Sequence, residues 1–216
     1  MKHIDQFGKD EEYFKQYINE QKERINKFKK LFDSCAETEK PRAARFITGR
    51  LKDLIAAQFS CNESIDSIRI SVEEYAYYST TNGFSSYSEY VDFLALLIIV
   101  GIQEEICIPV SSDFDDDLTR ILNAYISKQD YSLTGHLCYP EYYEVFRDYS
   151  TGILNYDELI SYVNEKWYRS SMGFYWFDSH LRNDNTYTGY WCYVASAALR
   201  IKKDYERVTE NTKYIV

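Results

Sequence analysis

The chain has 216 residues, 45% hydrophobic and 17% aromatic, with a formal net charge of −9. That content excludes a disordered chain, and the length suffices for one large domain or two small ones. The acidic balance argues against binding nucleic acid or an anionic membrane, since phosphates must be met by clustered Lys and Arg.

Only 8 Gly and 3 Pro favour helices over a turn-rich β fold. From Asp10 to Phe32 the residues Phe14, Ile18, Ile25, Phe28 and Phe32 keep one face of a long amphipathic helix. Pro41 suits the first turn of a second helix, with Ile47, Leu51, Leu54, Ile55 and Phe59 as its stripe. Ser64 can cap a third helix carrying Ile65, Ile68, Val72, Tyr75 and Ala76 inward, and Thr80–Phe84 reads as a loop turning at Gly83.

Ser86-x-x-Glu89 has the form of a capping box and opens the most apolar helix. Between Leu94 and Ile102 it has almost no polar face, so it should be central and surrounded. The apolar run from Phe93 to Ile102 is about half the roughly 20 residues that a membrane span needs.

From Ile106 to Asp113 the pattern breaks at Pro109 and two serines, which divides the chain into an N-terminal helical domain, 1–105, and a C-terminal one, 106–216. Asp113, Asp115, Asp116 and Asp117 crowd the start of the next helix, which runs through Leu118, Ile121, Leu122 and Tyr125. Capping explains one or two acids there; four make an acidic patch suited to docking, with Glu104 and Glu105 nearby. Pro140 opens another helix with Tyr142, Tyr143, Val145, Phe146 and Tyr149. Asn155-x-x-Glu158 caps the next, whose inward face is Leu159, Ile160, Val163 and Trp167. A last helix spans about Tyr190–Lys203, and the tail beyond Asp204 shows no period. The expected fold is therefore all-α: a packed array of about eight mostly antiparallel helices in two consecutive groups.

Cys35, Cys61, Cys107, Cys138 and Cys192 are scattered without a C-x-x-C pair, and the N-terminus has no apolar signal core. Both features read as reduced thiols in a soluble cytoplasmic protein. Asp178, His180 and Asp184 form a D-x-H-x3-D cluster that could hold a metal in a small hydrolase. No H-E-x-x-H and no second nearby histidine supports it, and a histidine between Trp176 and Tyr187 better suits a hydrogen-bonded loop closed onto a core. Cys192 at a helix start could have a lowered thiol pKa, or pack as a small apolar side chain. Consecutive acids at 115–117 cannot converge on one metal, because successive helical side chains diverge by about 100°. Neither catalysis nor a metal or cofactor is expected, and a helical interaction scaffold stays open beside the hydrolase.

Three motifs lie in order over the C-terminal part: Lys166-Trp167-Tyr168, then Trp176-x-Asp178-Ser179-His180, then Tyr187-x-Gly189-Tyr190-Trp191 followed by an alanine-rich run. Together they resemble the C-terminal domain of PoNi-type immunity proteins, which neutralise PoNe-type DNase toxins passed between bacteria. The chain departs from that pattern at Val194, where a glutamate is expected, and in a tail lacking the proline-containing ending. The resemblance implies inhibition of a cognate DNase toxin by binding, with no turnover, no cofactor and no direct contact with nucleic acid. Asp113, Asp115, Asp116, Asp117, Glu104 and Glu105 are then the candidate toxin-binding residues. Trp167, Tyr168, Trp176, Asp178, His180, Tyr187, Gly189, Tyr190 and Trp191 are mainly structural, with Trp176, Tyr190 and Trp191 as core anchors.

Overall fold

A computed structural model describes residues 9–102, 112–182 and 184–216. Among them every regular element is a helix, so the all-α expectation holds. The chain forms two compact units: residues 9–83 with Asp178–Gly189, and Phe84–Phe177 with Tyr190–Val216. The boundary expected at 105/106 lies in 103–111, outside the described residues.

The first unit is built on α1 (Glu11–Ser34), α2 (Lys40–Ser60) and α3 (Ile65–Asn82). Each start has a local cause. Asp10 accepts the Tyr13 amide (2.9 Å), a proline occupies the first turn of α2, and Ser64 accepts the Ser67 amide (3.2 Å). Side-chain pairs set the directions. The Phe28 ring stacks on Phe46 (5.2 Å), and Arg45 reaches Asn82 (3.3 Å), so α2 runs antiparallel to both neighbours. Lys29 pairs with Glu74 (2.7 Å) and Phe32 meets Tyr78 edge-on (5.2 Å), so α1 and α3 run parallel. The result is a three-helix bundle with Phe14, Ile18, Ile25, Ile47, Leu51, Ile55, Ile68, Val72 and Tyr75 inside. Ile65, expected inward, is exposed at the first position of α3, and Phe28 is half-buried.

The second unit gathers around α4 (Tyr87–Ile99), whose residues from Phe93 to Ile99 are all buried. By chain position α4 belongs with the N-terminal helices. It packs instead against α5 (Asp117–Ser127) and α9 (Tyr193–Ile201), because a helix apolar all round must be covered on more than one side. Ala195, Ala197 and Ala198 are fully buried on α9 and present little bulk. Ser86 caps α4 through the Glu89 amide (3.2 Å), while the Glu89 carboxylate reaches back to the amide (3.0 Å) and hydroxyl (2.6 Å) of Ser85. Next, α6 (Pro140–Thr151) packs on α5, α9 and α7 (Tyr156–Tyr162), and α7 opens with the expected Asn155/Glu158 capping box. A π-helical segment (Val163–Trp167) carries α7 without a break into α8 (Tyr168–Ser170).

The aperiodic tail is ordered by specific bonds. The Cys192 amide donates to the Tyr214 carbonyl (2.7 Å), the Val216 amide donates to Ser196 Oγ (3.0 Å), and Ile215 is fully buried. Arg200 donates to the Val216 carbonyl (2.8 Å).

Candidate functional site

The motif residues divide between the two units. In the second unit, Trp167, Tyr168, Trp176 and Tyr190 gather with Phe174, Phe177 and Tyr214 in one aromatic cluster. Trp176 stacks on Trp167 (5.6 Å) and Phe174 (5.9 Å) and leans on Tyr190 (5.4 Å). Tyr168 lies against Phe177 (4.7 Å), Tyr190 (5.0 Å) and Tyr214 (5.9 Å), and Trp167 against Tyr214 (5.0 Å). Trp167 ends the π-helical segment and Tyr168 opens α8, and both rings reach the same cluster. Such pairs contribute about 0.5–1.5 kcal/mol each beyond area burial. Trp191 and Tyr190 are buried, whereas Trp176 is half-buried at the edge of the cluster.

In the first unit, Asp178–Gly189 closes one side of the bundle. Its Tyr187 is buried, faces Phe14 (5.9 Å) and accepts at its carbonyl a bond from the Tyr13 hydroxyl (2.9 Å). The next carbonyl, Thr188, accepts from the Ser60 hydroxyl (2.7 Å), and Gly189 turns the chain with φ +107°. Asp178 takes the left-handed conformation (φ 55°) and leads into a turn holding buried Ser179. His180 sits beside the Tyr187 ring (6.0 Å); burial holds its imidazole below the ordinary value although the Asp178 charge pulls the other way. Asp184 is exposed and takes a hydrogen bond from Thr186 (2.5 Å). Among the described residues no three His, Cys, Asp or Glu side chains come together as a metal site, so Asp178, His180 and Asp184 do not form one. The Cys192 thiol is buried, and burial pushes it up rather than activating it.

The acidic run before α5 separates into two inward and two outward residues. Asp116 is 0% exposed and Asp117 is 2% exposed. Asp116 is the N-cap of α5: one carboxylate oxygen accepts the Thr119 amide (2.9 Å), and the Thr119 hydroxyl returns the bond to the Asp116 amide (3.0 Å). Its other oxygen accepts from the Tyr87 hydroxyl (2.6 Å) and the Cys138 amide (2.9 Å). Asp117 accepts from the Thr134 amide (2.7 Å), the Thr134 hydroxyl (3.0 Å) and the Gly135 amide (2.9 Å). Burial pushes the Asp117 carboxyl up, but those three donors outweigh it and hold it below the usual carboxylate value. Burial first, then the Asp116 charge, pushes the Cys138 thiol up to about 11. Asp113 and Asp115 are exposed, and Asp115 is clamped by Arg120 through two bonds (2.7 and 2.6 Å), which lowers its carboxyl. Glu104 and Glu105 lie outside the described residues.

Sequence reasoning missed Tyr87, Thr134, Gly135 and Cys138 as partners of the aspartates. The Asp116-x-x-Thr119 spacing carries the local half of that arrangement. The distant half, some 17 to 29 residues away, leaves no periodic trace.

Among the described residues no helix is long and apolar enough to cross a membrane. The molecule is of the all-α class. Residues 114–214, just under half of the chain, match the family model described as PoNe immunity proteins (PoNi), C-terminal. The resemblance drawn from the three motifs holds over that span, which contains all of them. No curated protein and no solved structure gives a significant match.

Proposed function

We propose that this chain is an immunity protein that binds and neutralises a cognate PoNe-type DNase toxin in the cytoplasm, by occlusion and without turnover or cofactor. The match of residues 114–214 to the PoNi C-terminal region carries this reading. The net charge of −9 supports it, because a DNase must offer a cationic surface to phosphates. An acidic partner gains association rate on such a surface and competes with DNA for it. With the Asp116 and Asp117 side chains turned inward, the outward acids Asp113 and Asp115 are the members of the run that can meet the toxin directly.

Co-expression tests the proposal. Cells making the cognate PoNe-type toxin should survive when the chain is present, and the two purified proteins, with the toxin catalytically inactivated, should elute as one complex. Cell death despite folded chain, with no complex in solution, rejects the function.

A further inference from the structure

The buried aspartates point to a specific docking surface. Residues 128–136, between α5 and α6, are exposed at every position and have no regular secondary structure, yet the segment is held at several points. Asp117 grips Thr134 and Gly135 through its carboxylate, its own amide donates to the His136 carbonyl (3.0 Å), and Arg120 donates to the Ser132 carbonyl (3.2 Å) while holding Asp115. The clamps lie on the protein side of the loop. Its outer side carries Tyr131 at 47% and Leu133 at 49% exposure, large side chains in a stretch with no folding need to show them. Asp130 precedes Tyr131, and Asp115 is brought to Ser132 by their shared Arg120. From 113 to 136 there are five aspartates against two basic residues, so the apolar tip stands in a negative field.

We infer that the 128–136 loop is a pre-organised docking epitope, with Tyr131 and Leu133 as anchors and Asp113, Asp115 and Asp130 as its acidic rim, for the cationic DNA-binding surface of the toxin nuclease. The inference rests on the immunity reading and adds where the partner is gripped. Three physical points support it. A loop fixed before binding loses little conformational entropy on binding, which favours tight association. An exposed tyrosine inside a polar rim fits the anatomy of an energetic hot spot, where tyrosine is enriched. The sign of the rim is opposite to that of a phosphate-binding surface. The aspartate pair thus acts through the loop: Asp116 and Asp117 are positioning residues, buried themselves and setting the shape of what is exposed.

The test uses the full chain and its cognate PoNe-type nuclease, catalytically inactivated. The doubly substituted Tyr131→Ala/Leu133→Ala chain should melt like the wild type and dissociate at least 30-fold faster. Asp130→Lys should slow association several-fold at low salt, with a flatter salt dependence. Ile70→Ala, an exposed apolar position on α3, is the control and should bind normally. Asp117→Asn leaves the outer face unaltered and should weaken binding while raising amide exchange at Thr134 and Gly135. A wild-type chain that does not bind the nuclease refutes the immunity reading itself. A wild-type chain that binds, with the double variant within about twofold of it, refutes the loop assignment alone. Self-association of the chain that the double variant abolishes would assign the face to a second copy and also overturn it.

Discussion

Asp116 and Asp117 are neighbours in sequence, but their carboxylates bind different parts of the second unit. Asp116 starts α5 and ties it to Tyr87 on α4, while Asp117 fastens the loop that follows the helix. Because the Asp117 carboxyl is lower in the folded than in the unfolded chain, its contribution is complete above the unfolded value of about 4 and is lost as pH falls through the folded value. Melting temperature should therefore drop below about pH 4, and Asp117→Asn should flatten that drop while costing about 1–3 kcal/mol at neutral pH. An acid limb identical in wild type and variant would show that the carboxylate is not held as described. Trp191 is the other decisive single residue. Being buried, it should cost about 3–5 kcal/mol on truncation to alanine, measured in denaturant melts. Half-buried Trp176 should cost less, and equal losses would mean that the cluster lacks the edge described here.

The helix ends share a device. After α2, α4, α6 and α9 the chain passes through a left-handed residue, Asn62, Gly101, Gly152 or Lys203, and the following amide bonds back into the last turn. At α9 the pattern is complete: Lys203 donates to the Arg200 carbonyl (3.1 Å) and Asp204 to the Leu199 carbonyl (2.8 Å), with φ +59° at Lys203. Glycine fits that conformation without the Cβ penalty, so Lys203→Gly should raise stability by about 0.5–1 kcal/mol. No gain, or a lower melting temperature, would argue against the left-handed turn. Periodicity made most elements legible in advance, because α1, α2, α4 and α5 each show a face or a run whose burial the structure repeats. It could not show the tail, since Tyr214–Val216 is buried through single bonds to α9 rather than by repeat. Nor could it show the inward turn of Asp116 and Asp117, whose partners lie across loops. Composition alone cannot separate a solvated acid from one buried and saturated with donors.

At the scale of the whole molecule, charge and fold agree. If the chain acts as proposed, its acidic charge has the sign needed to meet a cationic nuclease, and rising salt should weaken the complex chiefly by slowing association. A rate unaffected by salt would mean that the field plays no part and that the apolar anchors act alone. The motif residues were legible as a family signature, but their location was not: Trp176 belongs to the second unit and His180 to the first.

That division has a consequence for how the molecule is made. The first unit is not completed by its own N-terminal residues, since Tyr187 and Thr188 supply carbonyls to Tyr13 and Ser60. A growing chain that has emerged only as far as α3 still lacks that closing segment, and must wait for more than its own length again, from Asn82 to Gly189, before receiving it. At the usual pace of synthesis, about 5–20 residues per second, the bundle stays open for several seconds while the second unit is produced. The last part of the first unit to arrive is thus made after the stretch Phe84–Phe177 of the second.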